Sequence, residues 1–310
     1  MTTGFKHVAV IGPGAIGCCA AVRLALAPGG PGVTLIDHRP DRAARLSAQP
    51  ILIHTPDGDL EAAIPVRIAP GSPPDLVLLT TKAYAARAAA AMAAAWIGRA
   101  PIVCMQNGLG VSQEVAAALP QTSVITAVSY QGANFVREGE VNQVAILRTH
   151  LGYEGRGPDE TAQAVADLLD RAGLAPRIEA DMTPVVWGKL IINAAINPVA
   201  ALAGVTNGEV AARPTLRALA GAIAEEGEAT ARACGVVLPY AGATEAMLET
   251  ARGTAGNRCS MLQDLEAGRP TEIDYLNGAI ASVAEACGAA AAANRAIAAL
   301  IRQVSAANKA

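Results

Sequence analysis

Short apolar runs and helical stretches alternate over the first half of the chain. Val8–Ile11 is an apolar run that ends in glycines and passes into a helical stretch from Ala15 to about Leu26. Val33–Ile36 is a second run, closed by Asp37, and Leu76–Thr80 and Ile102–Met105 are two more, each leading into a helical segment. Runs this short, with no polar alternation, belong to strands covered on both faces. The pattern therefore predicts α/β architecture, a doubly wound parallel sheet of Rossmann type. Between Ser123 and Leu147 the helical period fades, and Gly132 and Gly139 read as turn signals, so further strands are expected to extend the sheet. After Asp181 nearly every position fits a helix: 183–203, 208–234, 239–252, 259–266 and 270–303. The change of pattern near 178–183 divides the chain into a dinucleotide-binding domain, 1–180, and an all-helical domain carrying substrate and catalytic groups, 181–310.

Gly12-Pro13-Gly14-Ala15-Ile16-Gly17 stands where the first strand gives way to the first helix. In such a loop one glycine makes the tight turn, one admits a pyrophosphate, and one lets helix and strand pack closely. The anion then rests on the free N–H groups of the helix N-terminus. Asp37 follows Gly17 by twenty positions, at the end of the second strand. A carboxylate there accepts hydrogen bonds from a ribose 2′-hydroxyl and repels a 2′-phosphate, so the cofactor is NAD(P)H with NADH favoured. Arg39, two residues on, is the alternative partner for a 2′-phosphate, or else a solvated loop charge.

Lys189, Asn193 and Asn197 recur at i, i+4 and i+8 on a helix whose other positions, Leu190, Ile191, Ile192, Ala194, Ala195 and Ile196, are apolar. The three share one stripe. A solvated stripe would carry Glu, Lys or Arg, and asparagine is a poor helix former, so the two amides point to a ligand site. Reduction of a ketone leaves negative charge on its oxygen and needs a proton donor aimed at it. A lysine suits this when burial lowers its pKa. The asparagine NH₂ groups can donate to a substrate hydroxyl or carbonyl, and Ser260 to a carboxylate. Glu272 can accept from a substrate hydroxyl or hold the lysine, and as the residue after Pro270-Thr271 it also reads as a helix-capping carboxylate.

Composition narrows the partners. Of the residues 52% are hydrophobic but only 3% aromatic, as in closely packed alanine-rich helices. The net charge is −3 with no dense Lys/Arg run, so neither nucleic acid nor an anionic membrane is expected as partner. The apolar run Ala88–Ile97 is far short of the ~20 residues that span a bilayer, and Leu190–Ala203 is interrupted by Asn193, Asn197 and Pro198. The N-terminus enters a strand pattern within a few residues, leaving no room for a signal peptide. The six cysteines form no C-x-x-C pair and read as reduced structural thiols of a cytoplasmic protein. His7, His38, His54 and His150 show no ligand spacing, so no metal site is expected. Oligomeric state stays open, with a homodimer among the possibilities.

Several blocks together resemble the ketopantoate (2-dehydropantoate) reductase family. They are the Gly12–Gly17 loop, Thr81-Lys82-Ala83-Tyr84, Gln106-Asn107-Gly108-Leu109-Gly110, Trp187-Gly188-Lys189-Leu190, Asn193 through Asn197-Pro198, Asn207-Gly208-Glu209, Ser260–Asp264 and Thr271–Gly278. The resemblance implies a Rossmann domain followed by a helical one, an active site in the cleft between them, and NADPH-dependent reduction of ketopantoate to pantoate on the way to pantothenate. It also implies roles. Lys189 matches the catalytic lysine and Glu272 the acidic residue beside the substrate. Asn193, Asn197, Ser260 and Asn207 match substrate-side positions, and Asn107 and Lys82 match positions near nicotinamide and substrate. Asp37 departs from the basic or neutral residue common in the family. The alternatives are the same chemistry on another small 2-keto or 2-hydroxy acid, and a redox-sensing nucleotide-binding protein without turnover. A lysine aligned with two amides argues against the sensor, which has no use for a proton donor.

Overall fold

The computed structural model describes residues 4–308. The described chain forms two compact units: one holds residues 4–106 together with Val111–Met182, the other Asn107–Gly110 together with residues 183–308.

The first unit is a mixed α/β layer structure. In chain order it runs β1 (His7–Ile11), α1 (Ala15–Leu26), β2 (Gly32–Ile36), α2 (Pro40–Ser47), β3 (Ile51–Thr55), β4 (Gly58–Ala62), β5 (Val66–Arg67), β6 (Leu76–Leu79), α3 (Ala83–Ala93), β7 (Ile102–Cys104), α4 (Val111–Ala118), β8 (Val124–Arg137), β9 (Glu140–Gly152), α5 (Glu160–Arg171) and β10 (Pro176–Ile178). The strands form one sheet in the order β4-β3-β9-β8-β7-β6-β1-β2-β5, with β10 beside β9. Among the described residues only the β3–β4 and β8–β9 pairs are antiparallel. The central strands β6 and β7 are buried at every position, as their unbroken apolar sequences require of strands covered on both faces. Strand order reverses at β1, flanked by β2 and β6, and the crevice at the carboxyl ends of strands at such a switch point is where α/β folds bind ligands.

Two details differ from the sequence reading. Gly132 is no turn. It lies inside β8 at a register shift, where a Cβ would stand 2.5 Å from the Val144 side chain. The reversal is made by Gly139, at φ +79°. Between Pro40 and Arg67 the chain also forms a helix and three strands that the apolar pattern passes over, because β3 and β4 alternate around partly exposed positions.

The second unit is helical: α6 (Thr183–Ala203), α7 (Asn207–Ala212), α8 (Pro214–Ala233), α9 (Ala243–Gly253), α10 (Ser260–Glu266), α11 (Asn277–Cys287) and α12 (Ala292–Ala307), with a 3-10 turn at Ile273–Tyr275. The expected helix 208–234 breaks at Arg213, because Pro214 opens a new helix at its first position. The expected helix 270–303 breaks at Gly288, which ends α11 in the left-handed conformation. α6 is long and apolar enough, by length and composition, to cross a membrane, yet 72% of its apolar window is buried within the protein. It is the core helix of this unit.

α6 also contains Pro198, which has no N–H to give to the carbonyl one turn back at Ala194. That carbonyl accepts instead from the side-chain amide of Asn277 at 3.0 Å. The same amide nitrogen donates to Asn294 Oδ1 at 3.0 Å, and Asn294 in turn donates to the Ile223 carbonyl and to Glu226. This buried chain of side chains ties α6, α11, α12 and α8 together around the turn of α6 that carries Asn193 and Asn197.

Candidate active site

In the first unit the glycine loop is shaped by close approach. Gly12 has φ +101°, and a Cβ on it would meet the Thr81 N–H nitrogen at 2.9 Å. A Cβ on Gly17 would stand 2.1 Å from the Gly12 carbonyl oxygen and 2.5 Å from Thr80 Oγ1. Thr80 fixes the loop from β6 by donating to the carbonyls of Ile11 and Gly12. Gly14, by contrast, faces open space and stands at the N-cap of α1, whose first turn carries no acidic residue. The first N–H groups of a helix have no partner within it. Open space, unpaired donors and the positive end of a helix fit a pyrophosphate. Two buried oxygens close by the carboxyl ends of β6 and β7, Thr81 Oγ1 and Gln106 Oε1, have no hydrogen-bond partner, as expected of a crevice shaped for a ligand. The residues present therefore fit a dinucleotide. Lys82 follows at the N-cap position of α3.

Asp37 is 1% exposed, and both its carboxylate oxygens are engaged. Oδ1 accepts from the Arg39 N–H at 3.1 Å and Oδ2 from Arg42 Nη1 at 3.1 Å. Arg42 reaches on to the Pro13 carbonyl at 3.0 Å, and its Nε lies 3.2 Å from Glu138. One guanidinium thus links the acidic residue of β2 to the glycine loop. The sequence reading missed Arg42, since only the turn of chain into α2 brings it back to Asp37. The Arg39 side chain lies 4.0 Å from Glu138.

In the second unit Lys189, Asn193 and Asn197 are partly exposed, while Leu190, Ile191, Ala194, Ala195 and Ile196 are buried. The stripe is therefore an open seam on a core helix. Burial lowers the Lys189 pKa from 10.5 to about 8, and the Glu272 carboxylate works in the opposite direction. Glu272 is 7% exposed and makes no capping hydrogen bond to the 3-10 turn it precedes, so the capping role does not account for it. Gly188 lets Pro239 come close, since a Cβ there would lie 2.8 Å from the ring, and its carbonyl accepts from the Tyr240 hydroxyl. Cys259 donates to the Asn197 carbonyl at 3.3 Å and caps α10, which sets Ser260 beside the end of the seam, exposed, as the first residue of that helix.

Asn107 belongs to this unit through its neighbours. The Leu109 N–H donates to the Tyr275 carbonyl at 3.0 Å, and Gly108, at φ +103°, has no room for a Cβ against Tyr275. Asn207 is placed differently. It is buried, its side-chain NH₂ donates to Thr254, and its N–H donates to the Asn257 carbonyl. These bonds join the start of α7 to the end of α9 and do not reach the seam residues. The structure therefore groups Lys189, Asn193, Asn197, Ser260 and Glu272 in one neighbourhood, with the Asn107 loop fastened three residues from Glu272. Asn277 and Cys259 support them and were not singled out from sequence; the sequence signal for Asn277 was Pro198, which obliges some side chain to satisfy the Ala194 carbonyl.

Two family models match. Residues 8–155 match the model described as "Ketopantoate reductase PanE/ApbA" and residues 181–305 match "Ketopantoate reductase PanE/ApbA C terminal". A protein of Archaeoglobus fulgidus named 2-dehydropantoate 2-reductase is 37% identical over 232 residues, covering 74% of this chain and 76% of its own. The crystal structure of a PanE/ApbA family ketopantoate reductase from Ralstonia eutropha JMP134 superposes with a TM-score of 0.89 at 26% identity, covering 98% of this chain and 100% of its own. A ternary structure of D-mandelate dehydrogenase with NADH and anilino(oxo)acetate, 21% identical with a TM-score of 0.89 and covering 98% of this chain and 100% of its own, shares the fold.

Proposed function

The chain belongs to the ketopantoate reductase family, and from that premise we propose that it reduces 2-dehydropantoate to pantoate with NAD(P)H, Lys189 serving as general acid. A nicotinamide dinucleotide held at the Gly12–Gly17 loop would supply hydride to the 2-keto carbon. As charge develops on the keto oxygen, the Lys189 ammonium gives it a proton. A donor whose pKa lies near working pH combines the right protonation state with a proton it can release, and the lowered pKa of Lys189 supports that role. Glu272, by favouring the charged lysine, keeps a larger fraction of it ready to donate. Asn193 and Asn197 orient the substrate through neutral donors on the same stripe, and Ser260 donates to its carboxylate. Asn107 and Lys82 contribute on the nicotinamide side. Asp37 at the end of β2, although held by Arg42 and the Arg39 N–H, favours NADH because a carboxylate at that position opposes a 2′-phosphate.

The observation that carries this reading is the partly exposed polar stripe on the core helix of the second unit, with a carboxylate beside its lysine. The test is turnover by purified protein with NADH and with NADPH on ketopantoate and a panel of small 2-keto acids, followed by nicotinamide absorbance. Highest kcat/KM on ketopantoate is the expected result. Turnover confined to other keto acids overturns the substrate assignment, and nucleotide binding without turnover overturns the enzymatic one.

A further inference from the structure

Four of the six cysteines, Cys18, Cys19, Cys104 and Cys259, are buried. The other two are exposed and lie together: Cys234 Sγ and Cys287 Sγ are 3.2 Å apart, across 53 residues of sequence. Neither touches the residues assigned above to substrate or cofactor. Cys234 is the C-cap of α8 and Cys287 the last residue of α11, and each is followed by a glycine of positive φ, Gly235 and Gly288. Two Cys-Gly pairs thus end two helices side by side.

The helices are held in that relation by packing far from the sulfurs. Gly227 of α8 leaves room for Ile191 of α6 and Ile280 of α11, with a Cβ there coming within 3.0 Å and 3.5 Å of their side chains. Asn277 and Asn294 fix the other end of α11 through Ala194 and Glu226. The Cys287 thiol donates to the Val283 carbonyl at 2.9 Å, which leaves its sulfur to accept from Cys234.

We propose that Cys234 and Cys287 form a dithiol site that is oxidised reversibly to an intramolecular disulfide by a hydroperoxide. A disulfide bond is about 2.05 Å long, so the sulfurs need close by only about 1 Å, within the freedom of two helix ends that turn on glycines. In the reaction one thiol gives up its proton and attacks an oxygen of hydrogen peroxide as the thiolate, the O–O bond breaks, and the leaving hydroxide takes that proton, so that a sulfenic acid and water form. The second thiol attacks that sulfur, the S–O bond breaks, and a second water leaves. Two thiols and one hydrogen peroxide give one disulfide and two waters, the sulfurs being oxidised and the peroxide reduced. The bond closes a loop that contains α9, α10, Ser260 and Glu272, and so restrains the segment that carries them.

The experiment treats the full chain with hydrogen peroxide, blocks remaining thiols under native and then denaturing conditions, and maps peptides by mass. Expected are a single cross-linked peptide pair joining Cys234 and Cys287, a mass lower by two hydrogens, a raised Tm, and full reversal by dithiothreitol. Cys234→Ser and Cys287→Ser should each abolish the cross-link, and the partner cysteine should then appear as sulfenic or sulfinic acid. Both positions are exposed, so these variants keep the wild-type Tm when reduced. Oxidation of the two thiols separately in the wild type, or a disulfide only between chains, overturns the proposal. Unreacted thiols after an excess of peroxide overturn it as well.

Discussion

Lys189 carries the sharpest expectation. The fall of its pKa from 10.5 to about 8 means that the fold disfavours the ammonium by about 3 kcal/mol. Because the side chain keeps part of its surface in solvent, about 2–3 kcal/mol is the working figure. The sign follows from proton binding. Between pH 8 and 10.5 the unfolded chain holds a proton on this lysine that the folded one has lost, so stability rises with pH across that window. Below it the cost is present in full. Catalysis runs the other way: a donor must be protonated, so kcat for reduction should fall about tenfold per pH unit above about pH 8. Lys189→Ala should lose about 10²–10⁴ in kcat, or roughly 3–5 kcal/mol of barrier. Arginine should not rescue it, since guanidinium keeps its proton throughout. Glu272→Gln removes the charge that favours the ammonium and should move the descending limb to lower pH. The double variant Lys189→Met, Glu272→Gln should be inactive yet at least as stable as wild type at pH 7, because the lysine charge and the carboxylate that favours it go together. The assay is kcat from about pH 6 to about pH 10 at saturating substrate, with deuterated cofactor to show that hydride transfer limits the rate. A flat profile across that range, with less than a tenfold loss in Lys189→Ala, would falsify the assignment of the proton donor.

Alanine at Asn193 or Asn197 should raise KM for the keto acid while the nucleotide Kd, read by fluorescence titration, stays within about twofold, since each amide contributes about one or two hydrogen bonds; equal weakening of both would mean that they serve the fold. Asp37→Ser should shift the NADPH to NADH ratio of kcat/KM upward at least about tenfold, because the change removes the carboxylate and frees Arg42 for a 2′-phosphate, and a wild type that already prefers NADPH tenfold would sink this reading. Asn277→Ala should destabilise the helical unit by about 2–3 kcal/mol, leaving the Ala194 carbonyl buried beside Pro198 without a donor. Urea unfolding followed by Trp187 fluorescence in a Trp96→Phe background measures it, and a loss below about 0.5 kcal/mol would show that the carbonyl finds another partner.

The architecture is legible along the chain wherever local physics is decisive. Unbroken apolar runs become β1, β2, β6 and β7 because a strand buried on both faces cannot tolerate alternation. The Gly12–Gly17 loop was legible because positive φ at Gly12 and close approach at Gly12 and Gly17 exclude a Cβ at those two positions. The stripe through Lys189, Asn193 and Asn197 was legible because one helix sets its spacing. What the local pattern could not show is where a side chain meets a partner far along the chain. Pro214 and Gly288 divide helices whose apolar period runs on unbroken, and their effect was visible only once the backbone reversed. Arg42 reaches Asp37 only because α2 turns back over the glycine loop. The side-chain NH₂ of Asn207, matched from sequence to the substrate side, donates to Thr254, 47 residues away. The Ala194 carbonyl is satisfied by Asn277, 83 residues away, and Cys234 meets Cys287 across 53. Period and propensity act over a turn or two of chain, whereas pairing, burial and the pKa of Lys189 arise from neighbours that only packing supplies.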